Sequence, residues 1–132
     1  MTLINKYFKY IILGLIIFVI SCATPATQQE IDKIGYGGPL TINYSEIIMN
    51  YFNEKLYDPY SADIQIGNPV QGSMKTSLFE GRKIKAGYLV PVAVNAKNLL
   101  GNYVGQKRYI FLFRDNQLIE IIPPERLALM DR

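Results

Sequence analysis

Apolar residues recur with a helical period between residues 43 and 56, "NYSEIIMNYFNEKL". Asn43 is of a type that caps helices, and Glu46 three positions later completes a capping-box pattern. Asp58-Pro59 ends the run, because a residue before proline avoids the helical region. The pattern therefore predicts one amphipathic helix that packs its apolar stripe onto a sheet. That stripe comprises Tyr44, Ile47, Ile48, Tyr51, Phe52 and Leu56.

Beyond the helix the apolar positions alternate with a period of two, which is the pattern of strands. Asp115-Asn116 is a tight-turn pair between the last two runs. Pro91 cannot donate to a strand ladder, so its strand has an unpaired side or a bulge there. A final helical turn, "ERLALM", is expected to cover an edge. The alternating runs are 62–66, 86–97, 107–114 and 117–122, with a further short strand expected within 76–80.

The order of these elements predicts an α+β domain over residues 41–132. We expect one N-terminal helix packed on a three- to four-stranded antiparallel meander. The chain is 49% apolar and 19% charged, as ordinary globular proteins are. A domain of this length can bury a core without disulfides.

Residues 1–21 have the layout of a secretory signal peptide. Lys6 and Lys9 form a basic start without an acid, and residues 10–20, "YIILGLIIFVI", carry no charge. A spanning helix needs roughly 20 apolar residues. The stretch is therefore short for a permanent membrane anchor.

The tetrapeptide Val19-Ile20-Ser21-Cys22 resembles the lipobox of bacterial lipoproteins. The resemblance implies that the Cys22 thiol receives a diacylglycerol and that the leader is cut before it. Acyl chains would then hold the protein on a membrane, since each buried methylene contributes about 0.8 kcal/mol. Ala23 in place of Asp implies the periplasmic face of the outer membrane in a Gram-negative host. The alternative is an uncleaved signal-anchor with a chance cysteine.

Residues 23–40, "ATPATQQEIDKIGYGGPL", combine small, polar, glycine and proline residues without a periodic pattern. Such a composition is typical of a flexible tether that lets a domain stand clear of the lipid. The predicted organisation is a signal peptide at 1–21, the lipidated cysteine and tether at 22–40, and the α+β domain at 41–132.

Charge and composition exclude several function classes. Of fourteen basic residues, Lys6 and Lys9 lie in the leader, which leaves twelve against eleven acidic residues. That balance lacks the basic face of a nucleic-acid-binding protein. The chain has no histidine, and Cys22 is its single cysteine. We therefore expect no Ser-His pair, no cysteine nucleophile, no metal site and no cofactor besides the covalent lipid.

Carboxylate pairs are the remaining catalytic candidates, either Asp58 with Asp63 or Glu80 with Glu120. Glycosidase chemistry needs two carboxyls at a defined separation in a cleft, with one pKa raised. We expect Asp58 to cap its own turn and Glu120 to face water instead. No catalytic residue is assigned, and an enzyme is not expected.

Residues 51–65 and 87–113 resemble a recurring pattern in small exported bacterial proteins. In that pattern a helix ends in a Leu-x-Asp-Pro-x-Ser-Ala turn, and a hairpin then carries Asn-x-Lys-Asn and Gly-x-Tyr-x-Gly. The sequence departs at Asn102, where a second glycine is common, and at Pro91, where cysteine often stands. The resemblance implies a fold and an export route but no activity. The matching residues are Leu56, Asp58, Pro59, Ser61, Ala62, Asn95, Lys97, Asn98, Gly101, Tyr103 and Gly105.

Residues 98–105 join two strands by a loop that is longer than the two to five residues usual in hairpins. In the structural interpretation, which we favour, Asn95 and Asn98 bond the backbone of the bend and Tyr103 folds onto the sheet. In the functional interpretation the loop is a recognition patch on a rigid scaffold. That patch would comprise Lys97, Asn98, Tyr103 and Lys107.

These features predict a lipid-anchored lipoprotein of the cell envelope that acts as a non-catalytic binding or structural module. Its expected partners are the membrane, through the acyl chains, and a protein or a cell-wall component, but not nucleic acid. One alternative is an accessory subunit of an envelope secretion or assembly complex. Another is a peptidoglycan-associated hydrolase or its inhibitor.

Overall fold

The computed structural model describes residues 26–76 and 80–130. The predicted signal peptide and the lipobox, with Cys22, lie outside the described residues. None of the described helices is long and apolar enough to cross a membrane. The helices are α1 (Gln28–Ile34), α2 (Tyr44–Lys55) and α3 (Pro124–Met130), with a 3-10 turn at Pro59–Ser61. The strands are β1 (Asp63–Ile66), β2 (Val70–Lys75), β3 (Ile84–Asn95), β4 (Lys107–Arg114) and β5 (Gln117–Ile122).

The five strands form one antiparallel sheet in the order β1-β3-β4-β5, and β2 also pairs with β3. β1 follows the last part of β3, with Ile66 opposite Val92, and β2 follows the first part, with Val70 opposite Leu89. The two short strands thus share one edge of the 12-residue β3. β3, β4 and β5 follow one another as a meander.

Pro91 lies where β1 gives way to β2. Its carbonyl accepts a hydrogen bond from the Gly67 amide at 2.8 Å. The amide and carbonyl positions of one residue point to the same side of an antiparallel strand, so the missing donor of Pro91 faces this break. The break therefore leaves no ladder hydrogen bond unmade, as expected of a proline beside a bulge.

One face of the sheet, which we call the first face, packs against α2. Ile48 and Phe52 of α2 are fully buried against Val90, Phe111 and neighbouring apolar side chains. The Phe52 ring meets the Phe111 ring edge to face at a centroid distance of 5.8 Å. Each such side chain stabilises the fold by about 1.5–3 kcal/mol on burial. Ile48 and Phe52 of α2 therefore belong to the main core of the domain.

The opposite, second face carries a smaller core under α3. Leu127 of α3 packs against a cluster of Met74, Leu112 and Ile122. Leu112 and Phe113 point to opposite faces of the sheet, as neighbours in a strand do, and the register shift at this step leaves Ile119 of β5 as an extra residue without a partner in β4. The sheet is therefore covered on both faces, by α2 on the first and by α3 on the second.

The segment before α2 belongs to the folded domain. Ile31 of α1 is buried, and the Arg114 guanidinium donates to the Ile34 carbonyl at 2.8 Å and to the Gly35 carbonyl at 2.9 Å. Farther along, the Gly38 amide donates to Asp115 Oδ1 at 2.8 Å. Residues 28–38, which fall within the segment expected to be a tether, therefore contact the sheet in the described structure.

The α+β class and the antiparallel sheet agree with the expectation, but the sheet has five strands and the domain three helices. The additional strand is β2, and residues 77–79 of the segment 76–80, where a short strand was expected, lie outside the described residues. β2 occupies an edge and buries little besides Met74, so it shows no clear alternation. Helix α1 buries only Ile31, which is too little for a periodic signal.

Candidate functional site

The loop between β3 and β4 is organised by Asn98. The Asn98 Oδ1 accepts hydrogen bonds from the Leu100 amide at 2.9 Å and from the Asn102 amide at 3.1 Å. The Asn98 backbone closes the same turn by bonding to Asn102 and to Gly101. Gly101 has a φ of +79°, a conformation that glycine adopts without strain. One side chain therefore holds the tip of the loop in a defined shape.

The base of the loop is tied to the 3-10 turn that follows α2. Lys97 and Tyr103 face each other in a single antiparallel bridge. The Tyr103 hydroxyl donates to the Ser61 carbonyl at 3.1 Å, and the Lys97 amide donates to Ser61 Oγ at 3.2 Å. Asp58 caps that turn by accepting from the Ser61 amide at 3.3 Å, as expected. The loop is braced from outside the hairpin.

Three of the four predicted recognition residues come together here. The Lys97 ammonium lies 5.4 Å from the centre of the Tyr103 ring, within cation–π range, and Asn98 begins the turn between them. Lys107 stands apart at the start of β4, opposite Val94, and no contact joins it to the other three in the described residues. Asn95 was expected to bond the bend, but its Oδ1 is buried without a partner among the described residues.

The exposed apolar side chains of this region were not predicted from the sequence. Leu100 at the loop tip is 83% exposed, and Tyr60 in the 3-10 turn is fully exposed. The Tyr103–Ser61 hydrogen bond brings the loop next to the turn that carries Tyr60. The adjacent pair Leu99-Leu100 between polar residues was the available sequence signal. We call this set the loop surface: Tyr57, Tyr60, Leu99, Leu100, Tyr103 and Val104.

The loop surface and helix α1 lie at opposite ends of the domain. The loop follows Asn95, the last residue of β3. α1 lies near the first residue of β3, because Glu30 is 3.5 Å from Lys75 and Lys75 is opposite Ile84. A 12-residue strand is about 36 Å long at roughly 3.3 Å per residue. The sheet thus separates the two features by about that distance.

Glu120, one of the candidate carboxylates, lies in a cluster of ion pairs. Glu120 was expected to face water, but only 13% of its side chain is exposed, because it lies between Lys85, 2.6 Å away, and Arg126. Burial alone would raise its pKa, but the hydrogen bonds and charges of the two cations outweigh burial and lower the pKa. Glu80 joins the same cluster through Arg126, at 3.9 Å. The arrangement is an ion cluster under α3.

A groove lies on the second face, between α3 and the part of the sheet that α3 does not cover. This groove has a volume of about 810 Å³. Its lining is mostly apolar and contains one charged side chain, that of Arg108. Sequence patterning could not reveal the groove, because it forms between residues that are far apart along the chain.

Comparison with known proteins gives no further guide to this chain. No protein-family model, no curated protein and no solved structure matches it. No group of three acidic, histidine or cysteine side chains that could hold a metal ion occurs among residues 26–76 and 80–130. The loop surface and the groove on the second face are therefore the candidate sites that we consider within the described part of the chain.

Proposed function

We propose that this protein is a lipid-anchored, non-catalytic binding module of the cell envelope, which docks a partner protein through the loop surface. The observation that carries the proposal is the exposed apolar loop tip, with Leu100 at 83% exposure, held rigid by Asn98 and by the Tyr103–Ser61 hydrogen bond. Contiguous exposed apolar side chains on a soluble domain typically mark an interaction site. A braced loop also loses little conformational freedom when it binds.

Lipidation at Cys22 would orient this surface. Five residues separate Cys22 from Gln28, the first residue of α1. Even a fully extended chain of that length spans only about 20 Å, at roughly 3.5 Å per residue. The domain would therefore stay close to the membrane with α1 toward it. The loop surface, at the other end of β3, would face away from the lipid and toward partners in the envelope.

The side chains of the loop surface favour a protein partner over a cell-wall polymer. Tyrosines and leucines dominate the surface, and aromatic side chains are enriched in protein interfaces. Lys97 is engaged with the Tyr103 ring, so few polar groups are left to bind a hydrophilic polymer. A partner within an envelope secretion or assembly complex is one form of this proposal.

The proposal is tested by photo-cross-linking of the full-length protein in living cells. The photoreactive residue is placed at Leu100, because Tyr103 donates a hydrogen bond that braces the loop. The matched control is Val70, which is apolar and exposed but lies on β2. We expect one dominant protein adduct from Leu100 and none from Val70. The absence of an adduct at Leu100, or the same adducts from both positions, would refute docking at the loop surface.

The lipid anchor is tested separately by metabolic labelling with a fatty acid. We expect label on the wild-type protein and none on Cys22→Ser, which keeps the size of the side chain but removes the thiol. Equal labelling of the two would contradict an anchor at Cys22 and leave the loop surface to be judged by cross-linking alone.

A further inference from the structure

We propose that the groove on the second face binds a single-chain anionic amphiphile, of the class of a free fatty acid. The carboxylate would bind to Arg108, and the acyl chain would lie on the sheet beside α3. The groove lies on the second face of the sheet and shares no residue with the loop surface. This inference is therefore independent of the proposed docking function.

The floor of the groove consists of two rows of side chains set by the strand register. In the first row Ala93 lies opposite both Gln65 of β1 and Arg108 of β4. In the second row Pro91 lies opposite Ile110, with Gly67 beside it. The middle residue of each row, Ala93 or Pro91, has a small or flat side chain. The groove is therefore deeper along β3 than beside it.

The wall of the groove is α3. Leu127 packs on Leu112 and Ile122 on its inner side and lines the groove on its outer side, together with Pro124 and Ala128. Under α3 the second face is filled by Leu112 and Ile122, whereas the β3 residues that line the groove on this face are Ala93 and Pro91. The groove therefore arises because the helix stops short of the small residues of the floor.

Glycine at position 67 keeps this floor low. A Cβ built on Gly67 would lie 2.7 Å from Pro91 Cγ, which is closer than real side chains approach. Any larger residue would push against Pro91 and into the groove. An apolar floor that stays uncovered exposes surface to water, and an acyl chain would cover it.

The positive charge of Arg108 favours a ligand with an anionic head group. Arg108 is exposed, and no described residue forms an ion pair or hydrogen bond with its guanidinium. The planar guanidinium donates two parallel hydrogen bonds to a carboxylate. The neighbouring Gln65 has one weak hydrogen bond, 3.4 Å, from its amide nitrogen to Asp63. Arg108 and Gln65 could therefore bind the anionic head group of the ligand, while the apolar remainder of the groove would contact its tail.

The dimensions and the number of charges exclude other ligand classes. A volume of 810 Å³ falls within the roughly 300–1,000 Å³ of small-molecule sites. A nucleotide or a polyanion would need several cations, and a sugar would need several polar groups, whereas ten of the twelve lining residues are neither charged nor amide-bearing.

The test uses the full-length protein in phospholipid nanodiscs and a photoreactive fatty acid, with the corresponding photoreactive fatty alcohol as the uncharged probe. Mass spectrometry locates the adducts. We expect saturable labelling by the acid at residues 91–93 and 127–128, which unlabelled laurate suppresses. Labelling that is not suppressed, or that spreads evenly over the chain, would overturn the proposal.

Matched variants test the role of the charge. Arg108→Gln should lower labelling by the acid about fivefold, because a partly exposed ion pair contributes up to this factor, and should leave labelling by the alcohol unchanged. Lys107→Gln, which removes the adjacent cation on the first face, should change neither. Equal effects of the two variants would refute recognition of the carboxylate by Arg108.

Replacing a small groove residue by leucine tests whether the acyl chain binds in the groove. Ala93→Leu should lower labelling by both probes without affecting the loop. Because Ala93 lies within β3, Ala128→Leu on the exposed side of α3 provides a second variant that leaves the sheet unchanged. If both variants unfold at the wild-type temperature and label as the wild type does, the acyl chain does not lie in this groove.

Discussion

Thr41 and Asn116 are joined by two reciprocal hydrogen bonds across 75 positions of the chain. The Thr41 amide donates to Asn116 Oδ1 at 2.8 Å, and Asn116 Nδ2 donates to Thr41 Oγ1 at 3.0 Å. Asp115 and Asn116 both have positive φ, 50° and 59°, as in the two-residue turns that match the twist of a hairpin. The β4–β5 turn thus also binds the segment between α1 and α2, and we call the two Thr41–Asn116 hydrogen bonds the clasp.

Asn116→Gly tests this clasp, because glycine keeps the positive φ and removes only the side chain. Two hydrogen bonds are lost, so we expect the free energy of unfolding to fall by about 1–2 kcal/mol. In a domain of this size that corresponds to a fall of roughly 5–10 °C in melting temperature. Thermal unfolding followed by circular dichroism measures it. An unchanged melting temperature would mean that Arg114, Asp115 and the core hold the segment without the Asn116 side chain.

The elements that were predicted most directly are those whose buried apolar residues recur at a regular spacing along the chain. Helix α2 buries one stripe, and β3 buries alternate residues from Val90 to Val94, so the hydrophobic period identifies both. β4 instead buries three consecutive residues, Phe111, Leu112 and Phe113, because both faces of the sheet are covered there. The Asp115-Asn116 turn was predictable because few residue types accept a positive φ at two successive positions.

The elements that were missed are fixed by distant contacts. Helix α1 depends on Arg114, about 80 positions away in the sequence, and β2 depends on its register with β3. Glu120 was assigned to the solvent side because a strand pattern does not indicate that Lys85 and Arg126 converge on it. Asn98 and Tyr103 of the loop were predicted from residue type, whereas the exposure of Leu99 and Leu100 follows only from the shape of the loop.

Gly87 should tolerate no side chain. It lies opposite Gly72 in the sheet, and a Cβ built on it would overlap the carbonyl oxygen of Phe113 in β4. We expect Gly87→Ala to separate β3 from β4 locally and to lower the free energy of unfolding by more than about 2 kcal/mol. Chemical denaturation measures this.

The control for Gly87 is Gly101→Ala in the loop. There a Cβ meets nothing within 4 Å, and the cost comes only from the positive φ, so we expect about 1 kcal/mol. If Gly87→Ala were as stable as Gly101→Ala, β3 and β4 would not be in close contact at Phe113.

Glu120 should make the stability of the domain depend on pH. Its pKa in the folded state lies below the usual 4.5, because the hydrogen bonds of Lys85 and Arg126 outweigh the opposing effect of burial. A lowered folded-state pKa stabilises the domain above the unfolded-state pKa, and this contribution is lost as the pH falls through the folded-state value. We expect Glu120→Gln to be about 1–2 kcal/mol less stable at pH 7, since the two cations left behind are partly exposed.

The difference should shrink as the pH approaches 3, which urea denaturation at a series of pH values would measure. Glu54→Gln on the exposed side of α2 is the control, and its curve should parallel that of the wild type. A stability difference between Glu120→Gln and the wild type that stays constant down to pH 3 would show that the carboxylate charge does not contribute.

Asn98→Ala should loosen the loop without unfolding the domain. The Leu100 and Asn102 amides lose their acceptor but can bond to water, so we expect a loss of only about 1 kcal/mol. Both amides should exchange their hydrogens faster in nuclear magnetic resonance experiments. In cells, cross-linking from Leu100 should weaken, because a disordered loop must be ordered again on binding. Asn102→Ala is the matched control, since the described structure gives the Asn102 side chain no hydrogen bond. If Asn98→Ala cross-links like Asn102→Ala while its amides exchange faster, the rigidity of the loop does not contribute to docking.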